Sequence, residues 1–196
     1  MNDLPHVNAQ LFAGVELISI ICFLAVAFII YLNRIRIKQS WHLFRTQYCL
    51  NNLGLEQLSN IEFPDGLGHY FTIDRLLLRH DGITLLVYKK YPGRIFCANH
   101  IAEWTQMLGL KSYLFKNPLF ELDYQVKAIS AFLPGIHVDG FLFFDHTASF
   151  PKGHPEQVMH PNLIPQELQR NNRHQVETKV MAAWKKMQDL NAMTTQ

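Results

Sequence analysis

Two residues on a predicted hairpin, an aspartate and a lysine, have side chains that could act on one ligand together. The strand-like runs 70–78 and 83–90 flank Asp81-Gly82, a dipeptide suited to a two-residue turn. With Asp81 and Gly82 as the central residues, His80 faces Ile83, Leu78 meets Leu85, Leu76 meets Val87 and Asp74 meets Lys89. Directly opposed side chains on one sheet face have Cβ atoms roughly 5 Å apart, close enough for a carboxylate and an ammonium to act on one ligand. Such a pair has two readings. One is a cross-strand ion pair at a sheet edge. The other is a site where Asp74 holds a divalent metal and Lys89 polarises a phosphate or an attacking water.

Other chemically capable residues make weaker patterns. Cys22, Cys49 and Cys97 form no C-x-x-C pair, so neither a disulfide framework nor a zinc knuckle is expected. His146, His154 and His160 share one loop, but their spacing fits no standard zinc pattern, and a solvated loop is the expectation. Arg170, Arg173, Lys179, Lys185 and Lys186 are interleaved with Glu167, Glu177 and Asp189, which reads as a mixed solvated face. Trp104 reads as a core residue, and no G-x-S-x-G nucleophile motif is present. A formal net charge of +2 gives no broad electrostatic footprint for nucleic acid.

The elements that must position these residues can be read along the chain. Residues 11–32 carry one side chain charged at neutral pH, Glu16, and would rise roughly 30 Å as a helix, the thickness of a bilayer core. The leading MNDLPHVNAQ has no Lys or Arg, whereas Arg34, Arg36 and Lys38 follow the span. That order argues for an uncleaved single-pass anchor in the inner or plasma membrane with its C-terminal side in the cytoplasm. Residues 33–53 read as a juxtamembrane helix, and 60–69 carry turn signals around Pro64-Asp65-Gly66. After the hairpin come a further strand at 93–99, a helix that starts after Asn117-Pro118 and stops at Pro134-Gly135, and a buried strand at 136–145. A polar loop at 147–162 leads to a long helix expected over 165–190. Hairpin, strand, helix, strand, helix makes an α/β class with a small mixed sheet.

The same segments carry a resemblance. TIDRLLLRHDGITLLVYKKYPGRIF, then WTQ, then FKNPLFELDYQVKAISAFL, then VDGFLFF are similar in order and spacing to the nuclease-related domain (NERD) family, whose fold is PD-(D/E)xK nuclease-like. The resemblance implies an Asp in the first strand, at Asp74, and a Glu-x-Lys in the second, ending at Lys89. The Glu of that motif falls on Val87, which cannot bind metal. The family's helix Gln, just after Asn-Pro, falls on Glu121, and its early helix Glu has Glu56 as the nearest candidate. Either the missing acid has migrated to Glu121, so that Asp74 and Glu121 hold Mg²⁺ beside Lys89, or the site has decayed; decay is the simpler reading.

The organisation expected is an extracytoplasmic segment 1–10, a transmembrane helix 11–32, a juxtamembrane helix and linker 33–59, a NERD-like α/β domain 60–150, and a loop with C-terminal helix 151–196. The expected function is a membrane-anchored nuclease-related protein that binds nucleic acid or a protein partner with weak or lost hydrolysis. An active Mg²⁺-dependent nuclease and a membrane-bound interaction scaffold are the alternatives. No small-molecule substrate is expected.

Overall fold

The computed structural model describes residues 4–66, 68–170 and 175–194; the side chains of residues 4–18, 39 and 194 lie outside that description. The chain divides into two compact units, the first ending at Phe44 and the second starting at Arg45. Helix α1, Leu4–Asn51, runs through both. No Pro or Gly interrupts it after Gly14, so nothing in the sequence separates the apolar span from the basic segment that follows. It is long and apolar enough to cross a membrane, and its side chains from Ile20 to Leu32 are exposed. Glu16 lies outside the described side chains. The helix ends before Gly54, which takes a left-handed φ of 64°.

The second unit is built on two sheets. The larger has the order β1 (Gln57–Pro64), β2 (Tyr70–Leu78), β3 (Gly82–Lys89), β7 (His137–Phe144) and β9 (Val158–Met159). Its first three strands are antiparallel, whereas β3, β7 and β9 run parallel, so the sheet is mixed. The smaller has the order β6 (Lys111–Lys116), β5 (Glu103–Leu108), β4 (Gly93–Phe96) and β8 (Ala148–Ser149). Strand β3 and the second half of β7, Phe141–Phe144, are largely apolar because both faces of the larger sheet are covered there. Ile83, Leu85, Val87, Leu142 and Phe144 face helices α2 (Pro118–Phe132) and α3 (Thr178–Thr194), while Leu86 and Phe143 face Leu50, Leu53 and Leu168.

The register of β2 on β3 differs from the sequence expectation. Leu78 pairs with Ile83 and Leu76 with Leu85, two residues away from the pairing that would set Asp74 against Lys89. The turn residues are His80 and Asp81, closed by Arg79 N–H donating to Gly82 O at 2.9 Å. Gly82 does not take the left-handed φ that a type I′ turn would give it. It belongs to β3 instead, where the parallel neighbour β7 comes so close that a Cβ at Gly82 would sit 2.4 Å from His137 O. Glycine is needed for that approach, and Arg79, donating to both oxygens of Asp81, fixes the tighter turn. Gly82→Ala should therefore cost about 2 kcal/mol by forcing β3 and β7 apart. Thermal unfolding of the full chain in detergent, followed by tryptophan fluorescence, measures it; an unchanged midpoint would refute the close-approach argument.

Other elements also depart from the sequence reading: β5, β8 and β9 are not among the expected strands. The segment around 60–64 is strand β1, not a turn, with Ile61 and Phe63 fully buried. Strand β6 has no counterpart in the expected element order. Pro165 precedes a 3-10 turn, Gln166–Leu168, and the C-terminal helix begins at Thr178 rather than near Pro165.

Candidate active site

Asp74 lies where two ladders are interrupted. Strand β1 pairs with β2 on either side of it, at Ser59–Arg75 and Ile61–Ile73, and Asn60 between them has a left-handed φ of 54°. On the other side, the β2–β3 ladder stops at Arg75–Leu86. Extending that offset by one pair would set Asp74 against Val87. Instead, the Asp74 carboxylate accepts a hydrogen bond from the Tyr88 backbone N–H at 2.9 Å, standing in for the ladder acceptor that is missing there. Beyond this point β2 continues with β1, while β3 continues with β7 to Lys89–Phe144. Counting outward from the turn, the two strands part after the Arg75–Leu86 pair, at Asp74.

Lys89 shares a strand face with Ile83, Leu85 and Val87, the face that α2 covers. Its Nζ is 3.3 Å from Glu121 Oε2. Glu121 is in the first turn of α2, and that turn is held firmly. Asn117 caps it by accepting from Leu119 N–H at 2.9 Å, and its Nδ2 donates to Ile101 O at 2.9 Å and Asn99 O at 3.1 Å. Further along, α2 rests on β7 at Gly140, where a Cβ would stand 2.6 Å from Val126. A cleft of about 760 Å³ opens beside the Lys89–Glu121 pair, lined also by Tyr91, Glu103, Lys116 and Phe120. Tyr91 is stacked on Phe115 with ring centroids 4.3 Å apart. Asp74 is not among the residues that line this cleft. Thus Lys89 and Glu121 are brought together, and Asp74 reaches the backbone one residue before Lys89.

The other candidates are structural. Glu56 accepts from the indole N–H of the buried Trp184 at 2.7 Å. Trp104 is fully buried and donates to Ala98 O at 3.0 Å. Burial pushes the Cys97 thiol up to about 11, so it is a packed, weakly ionised group. The loop histidines are not all solvated, as expected, but partly packed. His154 and His160 flank Phe150 with their own rings 6.2 Å apart, and burial followed by the neighbouring His154 lowers the pKa of His160. Arg173 lies outside the described residues. Sequence reasoning missed the cleft residues Tyr91, Glu103, Lys116 and Phe120, since nothing local marks them; Asn117-Pro118 signalled the helix start but not the cleft beside it.

Nuclease-like domains often use a divalent metal. The donors here do not fit one well. Among the described residues, no three His, Cys, Asp or Glu side chains converge. Asp74 commits one oxygen to Tyr88 N–H, Glu121 is paired with Lys89, and Val87 is a buried core residue with no donor atom. A hard dication needs several oxygen ligands to replace its hydration shell.

No curated protein and no solved structure matches the chain. A comparison with protein-family models matches the nuclease-related domain, NERD, over residues 39–145, more than half of the 196 residues. The match covers β1 through β7 with Asp74, Lys89 and Glu121, and stops before α3. The chain belongs to the nuclease-related domain family.

Proposed function

We propose that this protein is a membrane-anchored member of its family that binds nucleic acid with weak or lost hydrolysis. The observation that carries this reading is Val87: it is buried in the core where the family resemblance expects a metal-binding acid, two residues before Lys89. The NERD match supports a nuclease-related role and a nuclease-like fold of the PD-(D/E)xK kind. The apolar α1 supports the anchor, with residues 11–32 as the span, residues 1–10 outside and the domain from about residue 60 in the cytoplasm. A reporter enzyme fused after Gln196 should be active only in the cytoplasm. Activity on the far side of the membrane would overturn the topology.

A second reading, an active Mg²⁺-dependent nuclease in which Glu121 replaces the missing acid, is favoured by one contact, the 3.3 Å approach of Glu121 to Lys89. Glu121→Gln separates the two readings by sign. In a binding site, removing the carboxylate releases Lys89 from its partner and should tighten binding of a fluorescent DNA or RNA about threefold, the scale of one partly exposed ion pair. In a catalytic site, the same change removes a ligand and abolishes cleavage. Anisotropy titrations in EDTA and cleavage assays in Mg²⁺ or Mn²⁺, both on the full chain in detergent, read the two outcomes. Robust cleavage lost in both Asp74→Asn and Glu121→Gln would overturn the non-hydrolytic reading.

A further inference from the structure

Strands β5 and β6 form a hairpin whose far end leaves the core. The turn is Gly109-Leu110, with Gly109 at a left-handed φ of 61° and Leu108 paired with Lys111 across it. At the base, Trp104 and Phe115 pack into the apolar cluster. Towards the tip the side chains are exposed: Leu110 is 102% exposed, Leu114 67%, Tyr113 47% and Leu108 40%. Single exposed apolar residues are ordinary, but Leu108 and Tyr113 on one face of the hairpin with Leu110 at its turn are a patch that needs an occupant.

The charge around the patch is of one sign. Lys111 is at the tip on the face of Leu108 and Tyr113, and Arg94, on the adjoining β4 and paired with Met107 of β5, flanks the tip on the other face; both are exposed. Between Gln106 and Tyr113 there is no acidic residue, and the one acid of this sheet, Glu103, stands at the base opposite Lys116. Exposed leucine at a turn, a tyrosine behind it and flanking cations are the composition of a surface that sits at the boundary of an anionic bilayer, with the apolar groups below the headgroups and the cations among them. A second copy fits less well. β6 is an edge strand, and two copies paired in register about a two-fold axis would set Lys111 of one against Lys116 of the other.

We propose that the β5–β6 hairpin tip docks on an anionic lipid surface through Leu108, Leu110 and Tyr113, with Lys111 and Arg94 reading its charge. It rests on the membrane-anchored reading above only for the nearness of lipid. Docking would hold the domain's orientation at the membrane and so set which way the Lys89 cleft opens.

The test uses the full chain with Cys22→Ala, Cys49→Ala and Cys97→Ala, and one new cysteine at Ala25, Leu110 or Lys152, each carrying an environment-sensitive fluorophore. The chain is reconstituted in phosphatidylcholine vesicles with or without about one third phosphatidylglycerol. The Leu110 position should become about threefold brighter than Lys152 in the anionic vesicles, and brominated lipid should quench it. Adding Lys111→Glu and Arg94→Glu should return it to the Lys152 level. The proposal is overturned if the Leu110 label matches Lys152 in anionic vesicles, or if its brightening is the same without phosphatidylglycerol. Brightening that brominated lipid does not quench indicates a protein occupant, a second copy included, and also overturns it. Failure of the anchor is read separately, from a water-exposed label at Ala25, and the tip is then scored by the same criteria on the added vesicles.

Discussion

Arg79→Met should destabilise the second unit by about 3 kcal/mol, one of the two largest single-residue effects expected in this chain. The Arg79 side chain is 5% exposed and carries a full charge at the end of the larger sheet. It donates to Asp81 through Nε and Nη2 at 2.8–3.0 Å and to Asp139 through Nη1 at 2.7 Å, and Glu167 lies 3.7 Å away. Asp139 also accepts from the hydroxyl of the buried Thr84. One guanidinium thus ties the β2–β3 turn, strand β7 and the segment before α3. Methionine keeps most of the stem's packing but leaves two carboxylates facing each other without their cation. Asp81 and Asp139 are 37% and 25% exposed, so water takes over part of the loss, which sets the expectation at the low end of the range for broken buried pairs.

For a unit of this size that loss corresponds to a fall in Tm of roughly 6–12 °C. Adding Asp139→Asn should recover part of it, because the unpaired charge is then gone. The pH dependence gives a second readout. Burial pushes the Asp81 carboxyl up, but the hydrogen bonds and charge of Arg79 outweigh this and hold it below its ordinary value of 3.8. A carboxyl lowered in the folded state stabilises fully above its unfolded value and loses that contribution as pH falls through the folded one. The wild-type chain should therefore lose Asp81-linked stability on acidification below about pH 4, and Arg79→Met should lack that component. A Tm change within about 2 °C at neutral pH would show that the cluster behaves as an ordinary surface network.

How much of this could be read from sequence depended on whether a signal was local. The apolar run of α1 and the Asn117-Pro118 start of α2 carry their own signatures, and both are where expected. Strands β3 and β7 were legible from their largely apolar stretches, Ile83–Val87 and Phe141–Phe144, because both sheet faces are covered there. Strand β1 was masked: Ile61 and Phe63 alternate for only a few residues before Pro64-Asp65-Gly66, and the turn signal dominates. Strand β6 is mostly exposed, with lysine at both ends, so it shows no buried face to detect. The hairpin register failed for a tertiary reason. Asp81-Gly82 looks like a turn centre, but Gly82 is glycine because of His137 on a strand more than fifty residues away. The same applies to the site: the Lys89–Glu121 contact joins residues 32 apart in sequence, and a family resemblance, not spacing, pointed to Glu121.

Val87→Glu is the substitution that asks whether the site is a relic. Val87 is 6% exposed and packed in the cluster between the sheet and α2. In chelator, a carboxylate there is desolvated, lies near Asp74, and has only Lys89 as a cation on its own strand face, with Lys89 already paired to Glu121. The expected cost is about 3 kcal/mol relative to wild type, with the new group partly protonated. If Asp74 and position 87 once shared a metal, Mg²⁺ or Mn²⁺ should reverse much of that loss, because two carboxylates now meet one dication. A ligand at a hundred times its Kd adds about 2.7 kcal/mol, a rise in Tm of roughly 5–10 °C for a unit of this size. The wild-type chain should show no such rise, and Asp74→Asn in the Val87→Glu background should remove it. A Val87→Glu chain whose Tm is the same in chelator and in ten millimolar metal, on the order of ordinary assay conditions, would mean that the two positions do not converge on one ion. The valine would then be simply a core residue of this branch, and the decayed-site argument would lose its geometric basis.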